Sequence, residues 1–374
     1  MEKPKKKKSV KLKITKNIPD LTEDNIESVF NKNFENVDIL LDDSDYNTFL
    51  NKKELLDRQI ISDNEDKQNT LYPSLDDPKF NIKIALKKEF NDNKYDGTLY
   101  EIEEQATKLC DADFELVPHQ LFIRNFLSFQ TPYNSLLLYH GLGTGKTCSA
   151  ISVSEEMRTY LKQLGITQRI LVVASPNVQD NFKLQLFDDR KLKLIDGLWN
   201  LTACTGNKYL KEINPMSMKG LSKEKVIRQI NMIINNAYLF VGYTEFANYI
   251  TKKSSAEDGT KLEKKEMIKK LKKHFNNRLI IIDEVHNIRI GDEKQDKRVA
   301  QELLKLVKYV DNLRLLFLSA TPMYNSYKEI IWLLNVMNMN DRRSTIELKD
   351  VFDKNGNLLI GPDGKNIGEE IIRR

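Results

Sequence analysis

Residues 135–147, SLLLYHGLGTGKT, decide the fold of this chain. In this stretch an apolar run, a glycine-rich turn and the start of a helical pattern follow one another without a break. These are the parts of a phosphate cradle, because glycines let backbone N–H groups converge on an anion and the N-terminus of a helix adds positive potential. The stretch therefore predicts a P-loop between a buried strand and a helix.

The P-loop predicts a nucleotide site with a metal ion. Lys146 is expected to contact the β- and γ-phosphates, and the Thr147 hydroxyl is expected to hold Mg²⁺. One position departs from the general pattern, because His140 stands where a glycine is usual, five residues before Gly145. The predicted nucleotide-binding residues of this stretch are Gly141, Leu142, Gly143, Thr144, Gly145, Lys146, Thr147 and Cys148.

A second apolar run, Leu279–Ile282, ends in two adjacent carboxylates, Asp283 and Glu284. A P-loop enzyme needs such a pair opposite its lysine. Asp283 is expected to hold Mg²⁺, usually through water, and Glu284 to activate the attacking water as general base. An acidic pair after a strand is often only a solvated loop, so this interpretation depends on the P-loop of the same sheet.

A third apolar run ends at Leu318-Ser319-Ala320-Thr321-Pro322. Hydroxyls at this position can hydrogen-bond to the Asp283–His286 loop and report the state of the nucleotide. The string is short, and its value comes from its order and spacing behind the other two motifs. The residues predicted to couple the sites are His286, Ser319, Ala320 and Thr321.

Short apolar runs alternate with helical patterns around these motifs. The predicted strands are Ser135–Tyr139, Ile170–Ala174, Leu198–Ala203, Tyr238–Val241, Leu279–Ile282 and Leu313–Leu318, and the predicted helices are 146–163, 177–187, 222–235, 297–309 and 326–338. Most of the runs lack polar alternation, which is typical of strands covered on both faces. The alternation predicts an α/β domain over 113–340, a mostly parallel sheet with helices on both faces.

The flanking regions have a different texture. A basic arm at 1–16 precedes Asn17–Leu50, which carries nine carboxylates and one lysine. We interpret 1–112 as a charged accessory region, partly disordered. The arm is compatible with nuclear targeting, with a contact to nucleic-acid phosphates or with a plain solvated tail. After residue 340, turn patterns on both sides of Leu358–Ile360 predict a hairpin-like tail over 341–374.

Composition excludes several classes of protein. The net charge of +5 on 374 residues permits a nucleic-acid partner without requiring one. No apolar run is long enough for a membrane span, and the basic N-terminus lacks the apolar stretch of a secretory signal. Three widely separated cysteines, Cys110, Cys148 and Cys204, are expected to be reduced thiols of an intracellular protein.

Gly143–Thr147, Asp283–His286 and Ser319–Thr321 resemble motifs I, II and III of superfamily 2 helicases and translocases, in the right order. Phe114–Gln120 is similar to the upstream Q motif, whose glutamine reads the adenine edge, so the resemblance gives that role to Gln120. Two further stretches resemble the motifs that grip a nucleic-acid backbone, although each is also compatible with an ordinary helix cap. The nucleic-acid contacts that the resemblance implies are Ser175, Pro176, Asn177, Tyr243 and Thr244.

A finer resemblance is to the helicase branch of large DNA viruses, which includes the poxvirus early transcription factor small subunit and nucleoside triphosphate phosphohydrolase I. Leu137–Gly141 and Ser319–Asn325 carry this resemblance. It implies a RecA-like fold and an ATP-driven motor of viral transcription or genome handling, with ATP and Mg²⁺ as cofactors and DNA or RNA as partner. The implied location is the virion or the host cytoplasm, or the nucleus if the basic arm is a targeting signal.

Motors of superfamily 2 have two RecA-like domains, and the second supplies an arginine finger worth roughly 10³–10⁵ in rate in related NTPases. Only 53 residues follow Thr321, and none resembles that domain. The chain is therefore expected to be the first half of a motor. A second RecA-like domain or a transcription subunit in trans is its expected partner.

A P-loop also occurs in GTPases, in small-molecule kinases and in non-catalytic subunits. A GTPase would need N-K-x-D, but Asn207-Lys208-Tyr209 is followed by Leu210. A small-molecule kinase seldom has so long a separation between its P-loop lysine and its metal carboxylate. A non-catalytic, nucleotide-gated subunit remains open.

The lysines of Lys261–Lys273 are more simply the solvated side of an amphipathic helix than a nucleic-acid contact.

Overall fold

A computed structural model describes residues 71–94, 116–141, 143–256, 262–288, 294–323, 328–353, 356–361, 368 and 371. The basic arm, the acidic segment, the first residues of the Q motif and Leu142 lie outside the described residues. So do residues 324 and 325, the end of the stretch that carries the viral resemblance. The chain divides after Leu71, and the description below concerns the compact unit Tyr72–Arg374.

The unit is built on seven strands and twelve helices among the described residues. The strands are β1 (Ser135–Tyr139), β2 (Ile170–Val173), β3 (Leu192–Ile195), β4 (Leu198–Leu201), β5 (Tyr238–Val241), β6 (Leu279–Ile282) and β7 (Arg314–Ser319). The helices are α1 (Phe80–Leu86), α2 (Lys88–Asn91), α3 (Pro118–Phe126), α4 (Lys146–Gln163), α5 (Pro176–Leu186), α6 (Lys208–Ile213), α7 (Lys223–Ala237), α8 (Tyr243–Ser254), α9 (Lys264–Phe275), α10 (Lys294–Tyr309), α11 (Lys328–Asn340) and α12 (Leu348–Val351).

Five strands form one sheet in the order β1-β7-β6-β2-β5. Every pairing in it is parallel, with Leu137 opposite Phe317 and Val172 opposite both Phe240 and Ile281. The α/β class with a mostly parallel sheet is thus confirmed. Strand and helix bounds inside the sheet domain agree with the predicted ones to within three residues at each end.

Both faces of the sheet are buried, as the continuous apolar runs predict. On one face, Val172, Ile281 and Leu316 belong to a core shared with α3, α4, α5 and α7. On the other face Ile280 and Leu315 are equally inaccessible to solvent. Helices α8 to α11 pack against one another as a second group and bury their own apolar side chains. The result is a three-layer arrangement of helices, sheet and helices.

One predicted strand belongs elsewhere. The stretch 198–203 was expected in the main sheet, but β4 pairs antiparallel with β3 in a separate two-stranded sheet. Asp196 and Gly197 form the turn between them, and both have positive φ, 50° and 81°. Two consecutive left-handed residues match the right-handed twist of a two-residue hairpin, which Asp-Gly favours. The local turn therefore prevails over the strand–helix alternation.

The compact unit begins well before residue 113. Phe80 and Tyr133 pack edge-to-face, and Ile84 and Phe90 join the same buried cluster. The Tyr133 hydroxyl donates to the carbonyl of Pro73 at 2.8 Å. Residues 72–94 thus lie against the sheet domain, because their apolar side chains pack on Phe126 and Tyr133 of that domain. The predicted accessory region 1–112 therefore includes a segment, 72–94, that belongs to the compact unit.

The tail also returns to the domain. Asn335 on α11 exchanges two hydrogen bonds with the backbone of Ile346, at 2.6 and 2.8 Å. Phe352 and Leu358 form an isolated antiparallel bridge, and the amide of Leu359 donates to the carbonyl of Val351. These contacts lie within the stretch 341–374, whose prediction as a hairpin-like tail stays a prediction.

Helix α4, which begins at the P-loop lysine, is held at its middle by a buried polar cluster. Glu155 accepts hydrogen bonds from the hydroxyls of Tyr209 and Tyr238, each at 2.7 Å, and pairs with Arg158 at 2.8 Å. Arg158 also pairs with Glu212 at 2.9 Å. Tyr209 and Glu212 belong to α6, and Tyr238 belongs to β5. The cluster therefore fixes α4 against both of these elements.

Cys148 and Cys204 correct the expectation of three reduced thiols. The structure joins them in a disulfide across a sequence separation of 56 residues, with Cα atoms 5.2 Å apart. Cys148 lies in the first turn of α4, and Cys204 lies in the turn between β4 and α6. Sequence spacing could not indicate this, because it carries no information about which distant loops meet.

We predict that breaking this disulfide destabilises the protein. The chain-entropy model gives about 4 kcal/mol for a loop of this size, or a fall in Tm of roughly 8 °C. Cys204→Ser is expected to melt at the lower temperature with or without reductant, whereas Cys110→Ser is expected to behave like the unmodified chain. Thermal melts with and without reductant test this, and a Tm that reductant leaves unchanged would contradict it.

Candidate nucleotide-binding site

The predicted catalytic loops meet at one edge of the sheet. Strands β1, β7 and β6 are parallel neighbours, so the loops that follow them leave from the same carboxyl edge. Tyr139 lies opposite Ser319 in the register, and the amide of His140 donates to the carbonyl of Ser319 at 3.3 Å. The end of β7 therefore lies between the P-loop and the acidic loop.

Two glycines give the P-loop its shape. Gly143 and Gly145 both have φ of +81°, a conformation that L side chains rarely adopt. Directly after Gly145 the 18-residue helix α4 begins, so its free N–H groups face the loop. The Lys146 ammonium donates to the carbonyls of His140 at 2.8 Å and of Gly141 at 3.3 Å. The lysine is thus folded under the loop that would hold the phosphates.

Gln120 supports the P-loop from behind. Its Oε1 accepts from the Val117 amide at 3.2 Å, and its Nε2 lies 3.5 Å from the Gly145 carbonyl. A Cβ atom on Gly145 would meet that Nε2 at 2.7 Å, so the Gln120 amide packs closely on the glycine, whose φ of +81° disfavours any other residue. Gln120 is only 6% exposed. Both ends of its amide are engaged here, and its reading of an adenine edge stays a prediction.

His140, the departure from the P-loop pattern, packs against His119. The two rings meet edge to face with centroids 5.5 Å apart, and His119 Nε2 lies 3.3 Å from the Thr144 carbonyl. Burial lowers the pKa of His140 below its ordinary value, and His119 and Lys146 lower it further. The ring is therefore neutral near pH 7 and serves as a packed wall of the loop.

The acidic loop is held in a strained turn. The amide of Asp283 donates to the Val173 carbonyl at 3.0 Å, and the amide of Glu284 donates to Asp283 Oδ1 at 2.9 Å. Glu284 has φ of +45°, an uncommon conformation for a residue with a side chain. Burial raises the pKa of Asp283, while the Glu284 N–H and the positive charge of Lys146 oppose the rise. Such strain is typical of functional sites.

The residues fit a magnesium ion that arrives with a nucleotide. Mg²⁺ usually keeps several waters and is bound by one or two carboxylates together with substrate phosphates. Thr147, half-buried in the first turn of α4, supplies a hydroxyl, and Asp283 supplies a carboxylate in Coulombic contact with Lys146. In the part of the chain that the structure describes, no group of three or more His, Cys, Asp or Glu could hold a metal by itself.

Hydrogen bonds link the acidic loop to the end of β7. His286 Nδ1 lies 3.1 Å from Ser319 Oγ and 3.4 Å from Glu284 Oε2. Ser319 is fully buried, and its Oγ also accepts from the Thr321 amide at 3.0 Å. Ala320 is half-buried and Thr321 is exposed. The four predicted coupling residues thus form one connected group, while their roles stay predictions.

The predicted nucleic-acid contacts differ in accessibility. Pro176 and Asn177 begin α5 and are exposed, while Ser175 is half-buried and makes no side-chain capping bond. Thr244 in the first turn of α8 is exposed. The Tyr243 hydroxyl instead points inward and donates to the Asp283 carbonyl at 2.8 Å. The structure thus separates Tyr243 from the other four residues.

Two contacts of the site had no clear signature in the sequence. The support of Gly145 by Gln120 crosses 25 residues, and the Tyr243–Asp283 bond crosses 40. Each joins two short motifs that the sequence identifies separately. Only the tertiary packing of the helices and strands brings these motifs into contact.

The lysine-rich segment agrees with its simpler interpretation. Helix α9 buries Leu271 and Phe275 completely, and Lys264 at its start is exposed.

Among the residues that the structure describes, no helix is long and apolar enough to cross a membrane.

Comparison with known proteins gives a family match over most of the domain. The model of the SNF2-related domain matches residues 119–358. A protein of Acanthamoeba polyphaga mimivirus named "Putative ATP-dependent RNA helicase L377" is 25% identical over 328 residues, 82% of this chain. "Putative helicase 009L" of Frog virus 3 is 26% identical over 243 residues, 64% of this chain.

A third relative has a name from transcription. It is an "Early transcription factor large subunit homolog" of African swine fever virus, 25% identical over 260 residues, 58% of this chain. The expected likeness to helicases of large DNA viruses is thereby confirmed. The chain spans 27%, 22% and 23% of the length of these three relatives.

We predict that Lys146→Ala weakens binding of ATP with Mg²⁺ by about 10- to 100-fold, because a charge-assisted hydrogen bond contributes roughly 1.5–3 kcal/mol. The matched control is Lys264→Ala, which removes an exposed lysine from the first turn of another helix and is expected to leave binding unchanged. Calorimetric titration measures both. Equal losses in the two variants would overturn the assignment of the site.

Proposed function

This chain belongs to the SNF2-related domain family, and we propose that it is the ATP-hydrolysing half of a nucleic-acid-dependent motor of superfamily 2. The observation that carries the proposal is the juxtaposition at one sheet edge. The P-loop with Lys146 and the acidic loop with Asp283 and Glu284 lie on either side of Ser319. This is the donor and acceptor set that phosphoryl transfer to water requires.

Each residue has a definite role in the proposed reaction. The ammonium of Lys146 moves from the carbonyls of His140 and Gly141 to the β- and γ-phosphate oxygens. Thr147 and Asp283 would hold Mg²⁺, which neutralises charge on the phosphates when bound. The N-terminus of α4 adds its dipole to the same oxygens.

Glu284 acts on the attacking water. Its carboxylate accepts a proton as the water oxygen bonds to the γ-phosphorus and the bond to the β–γ bridging oxygen breaks. His286, 3.4 Å from Glu284 Oε2, holds this carboxylate in place and is itself held by Ser319. The strained turn at Glu284 sets the direction of the side chain before the nucleotide arrives.

Nucleic acid is the proposed activator. Exposed Pro176, Asn177 and Thr244 follow β2 and β5, next to the acidic loop along the same edge. Hydroxyl, amide and backbone groups at helix N-termini bind phosphates without reading sequence. Two of the relatives carry helicase names and one a transcription name, which supports a role in nucleic-acid transactions, inside the virion or the infected cell.

We propose that an additional positively charged side chain, supplied from outside this stretch of sequence, completes the site. Developing charge on the γ-phosphoryl group calls for an arginine, as in other P-loop NTPases. The chain spans about a quarter of the length of the three relatives named above, and we propose that a second RecA-like domain or a partner subunit supplies this arginine. The competing proposal is a non-catalytic subunit in which nucleotide binding alone gates an interaction.

We expect the purified chain to hydrolyse ATP faster when single-stranded or duplex DNA or RNA is present. The stimulation is expected to be tenfold or more, about 1.4 kcal/mol in the barrier. Steady-state phosphate release with each polymer in turn measures it and identifies the class of nucleic acid.

Lys146→Ala is the control for this assay, because it removes the proposed phosphate contact and leaves the exposed loops unchanged. Hydrolysis that the control retains would come from a contaminant. Binding of ATP without any turnover, with or without polymer, would contradict the proposal that this chain hydrolyses ATP by itself and would direct the search to the domain or partner that carries the arginine.

A further inference from the structure

We propose that Tyr243 is a positioning residue that couples nucleic-acid binding to the geometry of the Asp283–Glu284 turn. The inference deepens the proposed function and rests on it. It differs from the role that the sequence resemblance implies for Tyr243, which is a direct contact with nucleic acid. Four observations support it.

The first observation is the direction of the Tyr243 hydroxyl. It donates to the Asp283 carbonyl at 2.8 Å and accepts from Asn287 Nδ2 at 3.2 Å. A phenol has one proton to donate, and this proton is already used inside the protein.

The second observation is which carbonyl receives the bond. The Asp283 carbonyl belongs to the peptide that joins the proposed metal ligand to the proposed general base. The N–H of the same peptide donates to Asp283 Oδ1 at 2.9 Å. A peptide is planar, so a bond that fixes the carbonyl also fixes the N–H and the carboxylate it orients. Tyr243 therefore fixes the carbonyl edge of this peptide, and Asp283 Oδ1 fixes its N–H edge.

The third observation is the strain of this turn. Glu284 has φ of +45° and ψ of +56°, and such a conformation persists only when its surroundings fix it. The turn continues into bonds from Asn287 N to the Glu284 carbonyl and from Ile288 N to the Val285 carbonyl. Tyr243, which follows β5, holds this turn through the hydrogen bond from its hydroxyl to the Asp283 carbonyl.

The fourth observation is the place of Tyr243 in the chain. It is the first residue of α8 and is followed by exposed Thr244, one of the proposed nucleic-acid contacts. Backbone bonds link the ends of the three strands, from Ala174 N to the Val241 carbonyl and from Asp283 N to the Val173 carbonyl. A shift of the α8 N-terminus on binding a phosphate therefore reaches the Asp283 carbonyl through one side chain.

The test compares two tyrosines of the same helix. Tyr243→Phe removes the hydroxyl that bonds to Asp283. Tyr249→Phe, the matched control, removes a hydroxyl that accepts from Arg278 at 3.1 Å, away from the acidic loop. Asn287→Ala removes the exposed second partner of the Tyr243 hydroxyl and serves as a further variant with little risk to folding.

Three quantities are measured for each variant: the polymer-stimulated kcat, the Kd for the polymer and the hydrogen exchange of the amides of 284–288. For Tyr243→Phe we expect the stimulated kcat to fall about tenfold, the effect of one lost hydrogen bond, with Kd within twofold of the unmodified value. The amides of 284–288 are expected to exchange faster. Asn287→Ala is expected to act in the same direction more weakly, and Tyr249→Phe to change none of the three.

Different failures have different meanings. A weaker Kd with an unchanged stimulated kcat would overturn the positioning role and restore the direct contact. If no polymer stimulates even the unmodified chain, the proposed function fails, and the exchange rates then decide about Tyr243. Exchange at 284–288 that is the same in Tyr243→Phe and Tyr249→Phe would overturn the inference.

Discussion

The site depends on the order of three parallel strands. Because β7 lies between β1 and β6, the loops after these strands leave the sheet side by side, and Ser319 touches both. Parallel strands buried on both faces cannot slide without exposing their side chains to the wrong neighbours, so the register is firmly set. The packing of β1, β7 and β6 in the core thus sets the distance between the P-loop and the acidic loop.

Within this frame the loops keep conformations that isolated peptides would avoid. Gly143 and Gly145 adopt positive φ at little cost, whereas Glu284 does so with a side chain. Gln120 packs against Gly145, and Tyr243 and Asp283 hold the turn at Glu284. In the proposed reaction the backbone of both loops is therefore already in place before substrate binds, and the side chain of Lys146 moves to the phosphates; a preformed backbone of this kind favours electrostatic stabilisation of a transition state.

Much of this could be predicted from the sequence, for physical reasons. Continuous apolar runs give strands covered on both faces, and glycine-lysine-threonine at the start of a helix gives a phosphate cradle. The run 198–203 was misplaced because an Asp196-Gly197 turn pairs it locally with β3. The Cys148–Cys204 bond and the contact of Tyr243 with Asp283 could not be predicted, because both join segments that only tertiary packing brings together.

We propose that the two loops form a single ATPase site in which Glu284 is the base. The most direct measurement is a single-turnover assay of Glu284→Gln with labelled ATP, together with its nucleotide affinity. The amide keeps the size of the side chain and removes the proton acceptor, so affinity is expected to persist while hydrolysis falls by about 10²–10⁴. Hydrolysis at the rate of the unmodified chain would remove Glu284 as the base and contradict the account.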